Sequence, residues 1–368
     1  MKQHEKVGIR DYTSIVILMM GTKATENTPS AFYNDVQSAA WMIPLISAGF
    51  FLIPLFLLLK TFSVFQGKDL FVVVKKLLGK YIGFFVLLYL FIISSLAVSF
   101  DTRMYSDIIH SFYFRRTPLV VVYIIFLLVC VYGAKKGIQH IGSVSYIMVW
   151  YIIFSFVLAM ILSIMDSNIR SIYPILGSGI PDIIKSSIPG TTLFADLVLL
   201  TVLLSSMSSF KDFAKGTWIA FILTAIHISA AAFIFICLFD RSLGGLGYPF
   251  HTAIRYFSFG NFLTNVETLF FPIWLMAAFI RFAALLYICT KLFAHIFHIK
   301  EAGYLIPALA TIYLLTGMIP ETPLDVALVF KAKIRLIAGP TFAAISLLLW
   351  TVALLKGEFN YAKHKKGM

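Results

Sequence analysis

The chain has 368 residues, of which 60% are hydrophobic and only 13% charged, and its formal net charge is +13. A soluble domain is about 45–50% apolar and about 25% charged, so this much apolar surface cannot be hidden from water and must face lipid. The positive charge lies in short interludes between apolar runs and not in one patch, which argues against a nucleic-acid surface and gives the pattern of membrane topology.

A spanning helix needs roughly 20 mostly apolar residues, and the short alternating segments of a barrel are missing. The first eleven residues are polar and no small-residue cleavage site follows, so the first span is expected to be retained. The hydropathy predicts ten spans, roughly 12–33, 38–60, 82–113, 118–134, 143–165, 188–210, 216–239, 263–296, 302–319 and 326–355. Between the second and third, Asp69–Lys80 alternates Leu70, Val73, Val74, Leu77 and Leu78 with Lys75, Lys76 and Lys80, the spacing of an amphipathic helix on the membrane surface. With the N-terminus inside, eighteen lysines and arginines fall on the cytoplasmic side; six (Arg115, Arg116, Arg170, Lys185, Arg241 and Arg255) fall outside. That bias predicts both termini in the cytoplasm. Two longer outer loops are expected, Asp166–Ser187 and Asp240–Phe262, the second containing Gly244-Gly245-Leu246-Gly247.

Span one carries the first polar interruption. Tyr12–Met20 is apolar and rises only about 14 Å as a helix; then comes G-T-K-A-T-E-N-T-P, Gly21 to Pro29. Either Thr22–Pro29 is an ordinary outer loop, or the helix is broken and its polar half lines a cavity. Span six has a similar character, opening P-G-T-T-L-F-A-D-L-V at Pro189–Val198, with Asp196 inside an apolar run or near the interface. Interrupted helices at matching places in two halves point to a transporter-type site. The halves are one transmembrane domain of two repeats, about 12–165 and about 188–355.

Other ionisable residues inside spans are candidates for function or for ion pairs that lock helices. Asp101 and Arg103 in span three are two apart and do not share a helix face. Asp101 lies about twenty residues into the predicted span, roughly 30 Å along it, which places it near the outer vestibule with Arg255 as a possible partner. Glu267 and Arg281 lie in span eight, Lys331, Lys333 and Arg335 in span ten, and His227 in span seven. Arg281 is expected to pair with an acid on another span, and His227 to serve as a hydrogen-bond partner between helices. Cys130, Cys237 and Cys289 all sit in apolar runs, which reads as buried packing and not as disulfides, metal ligands or nucleophiles. No phosphate loop, metal-ligand cluster or nucleophile elbow is visible, so neither an enzyme nor a cofactor or metal is expected.

The span-three run S-F-D-T-R-M-Y-S-D-I-I (Ser99–Ile109), R-R-T-P (Arg115–Pro118), Y-P-F-H-T-A-I-R-Y-F (Tyr248–Phe257) and N-V-E-T (Asn265–Thr268) resemble the B subunit of spore germinant receptors. The resemblance implies the amino acid–polyamine–organocation transporter superfamily. It also implies an all-α, LeuT-like integral membrane protein of ten transmembrane helices in a five-plus-five inverted repeat, with spans one and six broken. It further implies a nutrient site, a place in the inner membrane of a bacterial endospore, receptor A and C subunits as partners, and germination as output. Carried onto this sequence, the ligand-binding residues are Gly21, Thr22, Lys23, Thr192, Phe194, Ala195 and Asp196, with Asp101, Arg103 and Glu267 structural or vestibular. The ligand is a small nutrient such as an amino acid or a sugar. Relatives usually carry small residues after the span-one glycine; here Lys23 follows, with Glu26 nearby. That lysine can pair with a ligand carboxylate, replace a coupling cation or bridge to Glu26. The rival readings are a secondary transporter of amino acids or related organic cations, and a structural subunit with a vestigial pocket.

Overall fold

The computed structural model describes residues 6–65, 67–256 and 267–360. Lys2, Phe257, Asn265, Val266, Lys363, Lys365 and Lys366, used in the topology and family readings, lie outside the described residues. Among the described residues the chain is helical throughout and has no strand; one parallel backbone bridge joins Val7 and Met207.

Eight helical stretches are long and apolar enough to cross a membrane: Met42–Val64, Leu70–Phe112, Leu119–Lys136, Ile138–Met165, Ile180–Ser206, Phe210–Gly245, Glu267–Ile296 and Pro323–Leu355. They correspond to predicted spans two to eight and ten. Span nine is the shorter apolar helix within Ala302–Gly317. Span one is split into Ile9–Gly21 and Thr28–Val36, each too short to cross by itself. Side chains such as Ile53, Phe85, Leu128, Trp150 and Phe154 are 60% or more exposed on these helices. An apolar belt of that kind is stable against lipid and not against water.

The amphipathic segment is helical as expected. Asp69 caps it by accepting from the Val72 amide at 3.2 Å. Gly79 then leaves the helical region at φ 79°, where glycine alone is unstrained, and turns the chain into span three. Phe71 stacks on His295 of span eight at 4.0 Å, and Lys76 pairs with Glu358 at 2.7 Å.

One loop is shorter than predicted, and the described part of another is partly helical. Span six starts at Ile180, inside the expected loop Asp166–Ser187, because Pro181 and Asp182 suit a helix N-terminus even though they break the apolar run. A helix, Pro249–Tyr256, occupies part of Asp240–Phe262.

Spans one and six are tied at the N-terminal face. The Val7 amide donates to Ser206 O at 2.9 Å, and the Ser208 amide to Val7 O at 3.1 Å. All three cysteines are buried and unbridged.

Candidate ligand cavity between the broken helices

Both interruptions arise from hydroxyl side chains that compete for helix carbonyls. In span one, Thr22 Oγ1 donates to Leu18 O at 3.0 Å and Thr25 Oγ1 to Thr22 O at 2.7 Å, and Thr22–Thr25 tightens into a 3₁₀ turn. Glu26 then turns extended (φ −97°, ψ −158°), and Pro29 starts the second half. In span six, Pro189 and Gly190 precede a 3₁₀ turn over Thr191–Phe194, with Thr191 Oγ1 donating to Ile188 O at 2.6 Å. The span-six break is therefore a tightened turn of right-handed backbone, and the span-one break is such a turn followed by the extended residue Glu26.

Lys23 joins the two breaks. Its Nζ donates to Thr192 O at 3.2 Å and Leu193 O at 3.0 Å, and pairs with Asp196 at 2.8 Å. Of the roles open to it, the structure turns the ammonium towards span six, where it donates to two carbonyls and faces the Asp196 carboxylate. Glu26 pairs elsewhere.

Glu26 accepts from Lys331 of span ten at 2.7 Å and lies 3.9 Å from Arg281. Lys331 also pairs with Asp101 at 2.8 Å, and Asp101 accepts from Arg281 at 2.6 Å. Arg281 reaches Thr22 Oγ1 and Tyr105 OH at 3.2 and 3.1 Å, and Tyr105 donates to Thr22 O. Two acids and two bases from spans one, three, eight and ten thus close one neutral network. A π-helical turn over Val326–Lys331 precedes the main helix of span ten and ends on the lysine, the kind of irregularity that re-aims a side chain.

This charged ring lines a cavity of about 430 Å³. Ser94, Leu199 and Leu285 line its inner part; Asn34 and the Gly244–Gly247 loop line its far end, where Asn34 donates to Gly244 O at 3.0 Å. Arg335 pairs with Asp35 at 2.9 Å across its wall.

Span ten is fitted to the span-six break through Thr192. Its hydroxyl donates to Arg335 O at 2.8 Å and accepts from the Gly339 amide at 2.9 Å, bridging two backbone groups one helical turn apart just before Pro340. A Cβ on Gly339 would collide with Thr192 N and Thr191 Oγ1, so only glycine permits this approach.

Of the residues expected from the sequence, Lys23, Thr192, Ala195, Asp196 and Asp101 line this cavity. Gly21 and Thr22 line a second cavity on the other side of span one. Phe194 lines neither and packs between Phe51 and Phe221, with ring centroids 6.1 and 4.8 Å away. The pairing of Asp101 with Arg255 is corrected: Asp101 meets Arg281 and Lys331. Arg255 instead faces Glu267 at 3.5 Å. Span three ends at Phe112, within a residue of its predicted bound, so its length was not at fault; a position counted along one helix names no partner, and Arg281 and Lys331 come from spans eight and ten. Arg103 is buried and donates to Asp107 at 3.0 Å and to Gly317 O and Pro320 O. The sequence named Arg281, Lys331 and Glu26 without their partners; their location inside spans was the available signal. Among the described residues no group of three His, Cys, Asp or Glu side chains could hold a metal.

A bundle of apolar spans, with two of them interrupted beside a polar cavity, defines a membrane protein of the receptor or transporter type. The family model described as "Spore germination protein" matches residues 9–326, and the chain belongs to that family. It is 21% identical to spore germination protein YndE of Bacillus subtilis (strain 168) over 352 residues, 95% of this chain and 96% of that one. It is 25% identical to spore germination protein A2 of the same organism over 260 residues, covering 69% and 70% of the two chains. It is also 20% identical to spore germination protein KB over 190 residues, covering 50% and 51%. Among solved structures, MhsT in complex with L-phenylalanine superposes with a TM-score of 0.68 at 16% identity, covering 92% of this chain and 88% of that one. That likeness carries the LeuT-like fold. The family agrees with the resemblance read from the span-three and outer-loop motifs.

Proposed function

We propose that this chain is the nutrient-sensing B subunit of a germinant receptor. It takes a small nutrient into the 430 Å³ cavity and passes the event to receptor A and C subunits, which triggers germination. The observation that carries this reading is the Lys23 tie between two broken helices at the wall of a cavity, in a chain of the spore germination family. Broken-helix ends and paired charges are what a small polar ligand needs at membrane depth. The two halves, about 12–165 and about 188–355, act as the repeats that meet at this cavity. The excess of lysine and arginine on one side supports cytoplasmic termini, and the family supports the endospore inner membrane. The protein works by binding and has no reaction of its own.

Lys23, Thr192, Ala195 and Asp196 carry ligand contact in this reading; Gly21, Thr22 and Phe194 shape the breaks. The Lys23 ammonium already fills the Thr192 and Leu193 carbonyls and pairs with Asp196. A ligand amino group must displace it, whereas a ligand carboxylate or sugar hydroxyl adds to it. The test is equilibrium binding of nutrient amino acids and sugars to the purified chain, with Lys23→Met beside wild type. Saturable binding of one class that Lys23→Met alters supports the proposal. Binding of no nutrient by a folded chain, or binding that Lys23→Met leaves unchanged, overturns it. Uptake of the bound nutrient into liposomes would instead favour a secondary transporter.

A further inference from the structure

A second cavity of about 250 Å³ lies between spans one, five, seven and eight, on the opposite side of the span-one break from the first. We infer that it is a binding site for a small, uncharged aromatic molecule that enters from the bilayer. Four observations carry this.

The wall holds no ionised side chain, and the hydroxyls of Thr22, Thr25 and Thr224 are already bonded to the backbone carbonyls of Leu18, Thr22 and Ala220. His227 packs beside Gly21, and its ring lies 4.0 Å from the Phe156 ring. Ser155 and His227 are the remaining polar groups on this wall, so with the three threonines bonded and no charge present it offers water few partners and favours apolar matter.

The size suits a ring. An apolar cavity of about 150 Å³ already takes benzene. Phe156, Phe250, Phe270 and Trp274 all line this one, and ring edges and faces give an aromatic guest contacts that an acyl chain cannot use.

The opening faces lipid. Leu223 and Ile226 line the cavity and are 48% and 56% exposed on the span-seven surface. The way in therefore passes through apolar surface at membrane depth.

The site borders the first cavity. Thr22 lines the second cavity and accepts from Arg281, which lines the first; Thr25 accepts from Trp274 Nε1 at 2.9 Å. A guest here touches the back of the same 3₁₀ turn that holds Lys23.

Trp274 makes the site readable. The full chain with Trp41, Trp150, Trp218 and Trp350 changed to Phe, in nanodiscs of unbrominated lipid, is titrated with bromobenzene, a heavy-atom quencher. Saturable quenching of Trp274 is expected, with apparent affinity weakened at least about five-fold by Ala277→Leu, which fills the cavity from span eight. Ser155→Leu fills it from span five and serves if Ala277→Leu does not fold. A parallel set of nanodiscs made with lipid carrying brominated acyl chains separates a lipid tail from a free ring. Quenching that rises linearly and equally in the filled and unfilled chains overturns the inference. So does saturable quenching confined to the brominated tails.

Discussion

Replacing Asp101 with Asn tests whether the buried charge network holds spans one, three, eight and ten together. Asp101 accepts from Arg281 at 2.6 Å and pairs with Lys331 at 2.8 Å; their side chains are 15%, 1% and 17% exposed. The amide keeps the volume and removes the charge, so two cations are left facing Glu26 alone. Removing one partner of a buried pair costs about 3–5 kcal/mol. Asp101 and Lys331 border the cavity, so the lower end, about 3 kcal/mol, is expected. The Arg255–Glu267 pair offers the contrast: at 3.5 Å and 38% and 23% exposed, its loss through Glu267→Gln is worth about 0–1 kcal/mol. A charge-balanced double variant, Asp101→Asn with Lys331→Met, keeps Glu26 opposite Arg281 and should be more stable than the two single losses added together, by about 0.5–3 kcal/mol. The assay is thermal unfolding of the purified proteins in detergent, followed by size-exclusion chromatography, with protein abundance in membranes measured alongside. An Asp101→Asn chain that melts with wild type, or singles that add without coupling, would refute the network.

Three further outcomes are expected. Gly339→Ala should cut the amount of folded protein, since its Cβ meets Thr192 N and Thr191 Oγ1, while Thr192→Val should cost about 1–3 kcal/mol by stranding Arg335 O and the Gly339 amide; both are read as melting temperatures. Lys23→Met should destabilise the chain more than Lys75→Met does, because it leaves Asp196 without its cation and removes two bonds to span-six carbonyls; the comparison is the abundance of each variant in membranes. Gly21→Ala should fold like wild type, its added Cβ lying 3.8 Å from His227 in ordinary contact, whereas Gly21→Leu should displace the ring and lower the melting temperature.

What the sequence made legible was what hydropathy and local spacing encode. Apolar runs separated by charged interludes gave the spans, and the polar insert Gly21–Pro29 and the Pro189–Val198 run marked where two of them fail. Asp69–Lys80 announced its own amphipathic helix. The site partners were not legible in the same way. Lys331 meets Glu26 from 305 residues away, and Arg281 meets Asp101 from 180 residues away; no periodicity reports such a pairing. The start of span six at Ile180 was hidden because Pro181, Asp182 and Lys185 interrupt the apolar signal while suiting a helix's first turns. The placement of Gly21 and Thr22 depends on which face of a 3₁₀ turn they occupy. Successive residues there point to different sides of span one, so Lys23 and Glu26 belong to one cavity while Gly21, Thr22 and Thr25 belong to the other.

The way charge is distributed around the first cavity constrains how it can respond. Lys23, Arg281, Lys331 and Arg335 face Glu26, Asp35, Asp101 and Asp196, so the wall is balanced before any ligand arrives. In a low-dielectric interior an added charge cannot be left uncompensated. A zwitterion brings one charge of each sign and must therefore exchange partners with an existing pair, while a sugar brings none and can leave every pair intact. The pairs are not equivalent. Lys23–Asp196 joins span one to span six, Lys331 joins span ten to spans one and three, and Asp35–Arg335 joins the second half of span one to span ten. Exchange at Lys23 would release the two breaks from each other, leaving spans one and six joined at the Val7 end, while span ten stays tied to both through Thr192 on one side and Glu26 on the other. Movement that begins at Lys23 would then be carried by span ten, where the π turn before Ala332 and Pro340 within the helix already depart from regular α geometry.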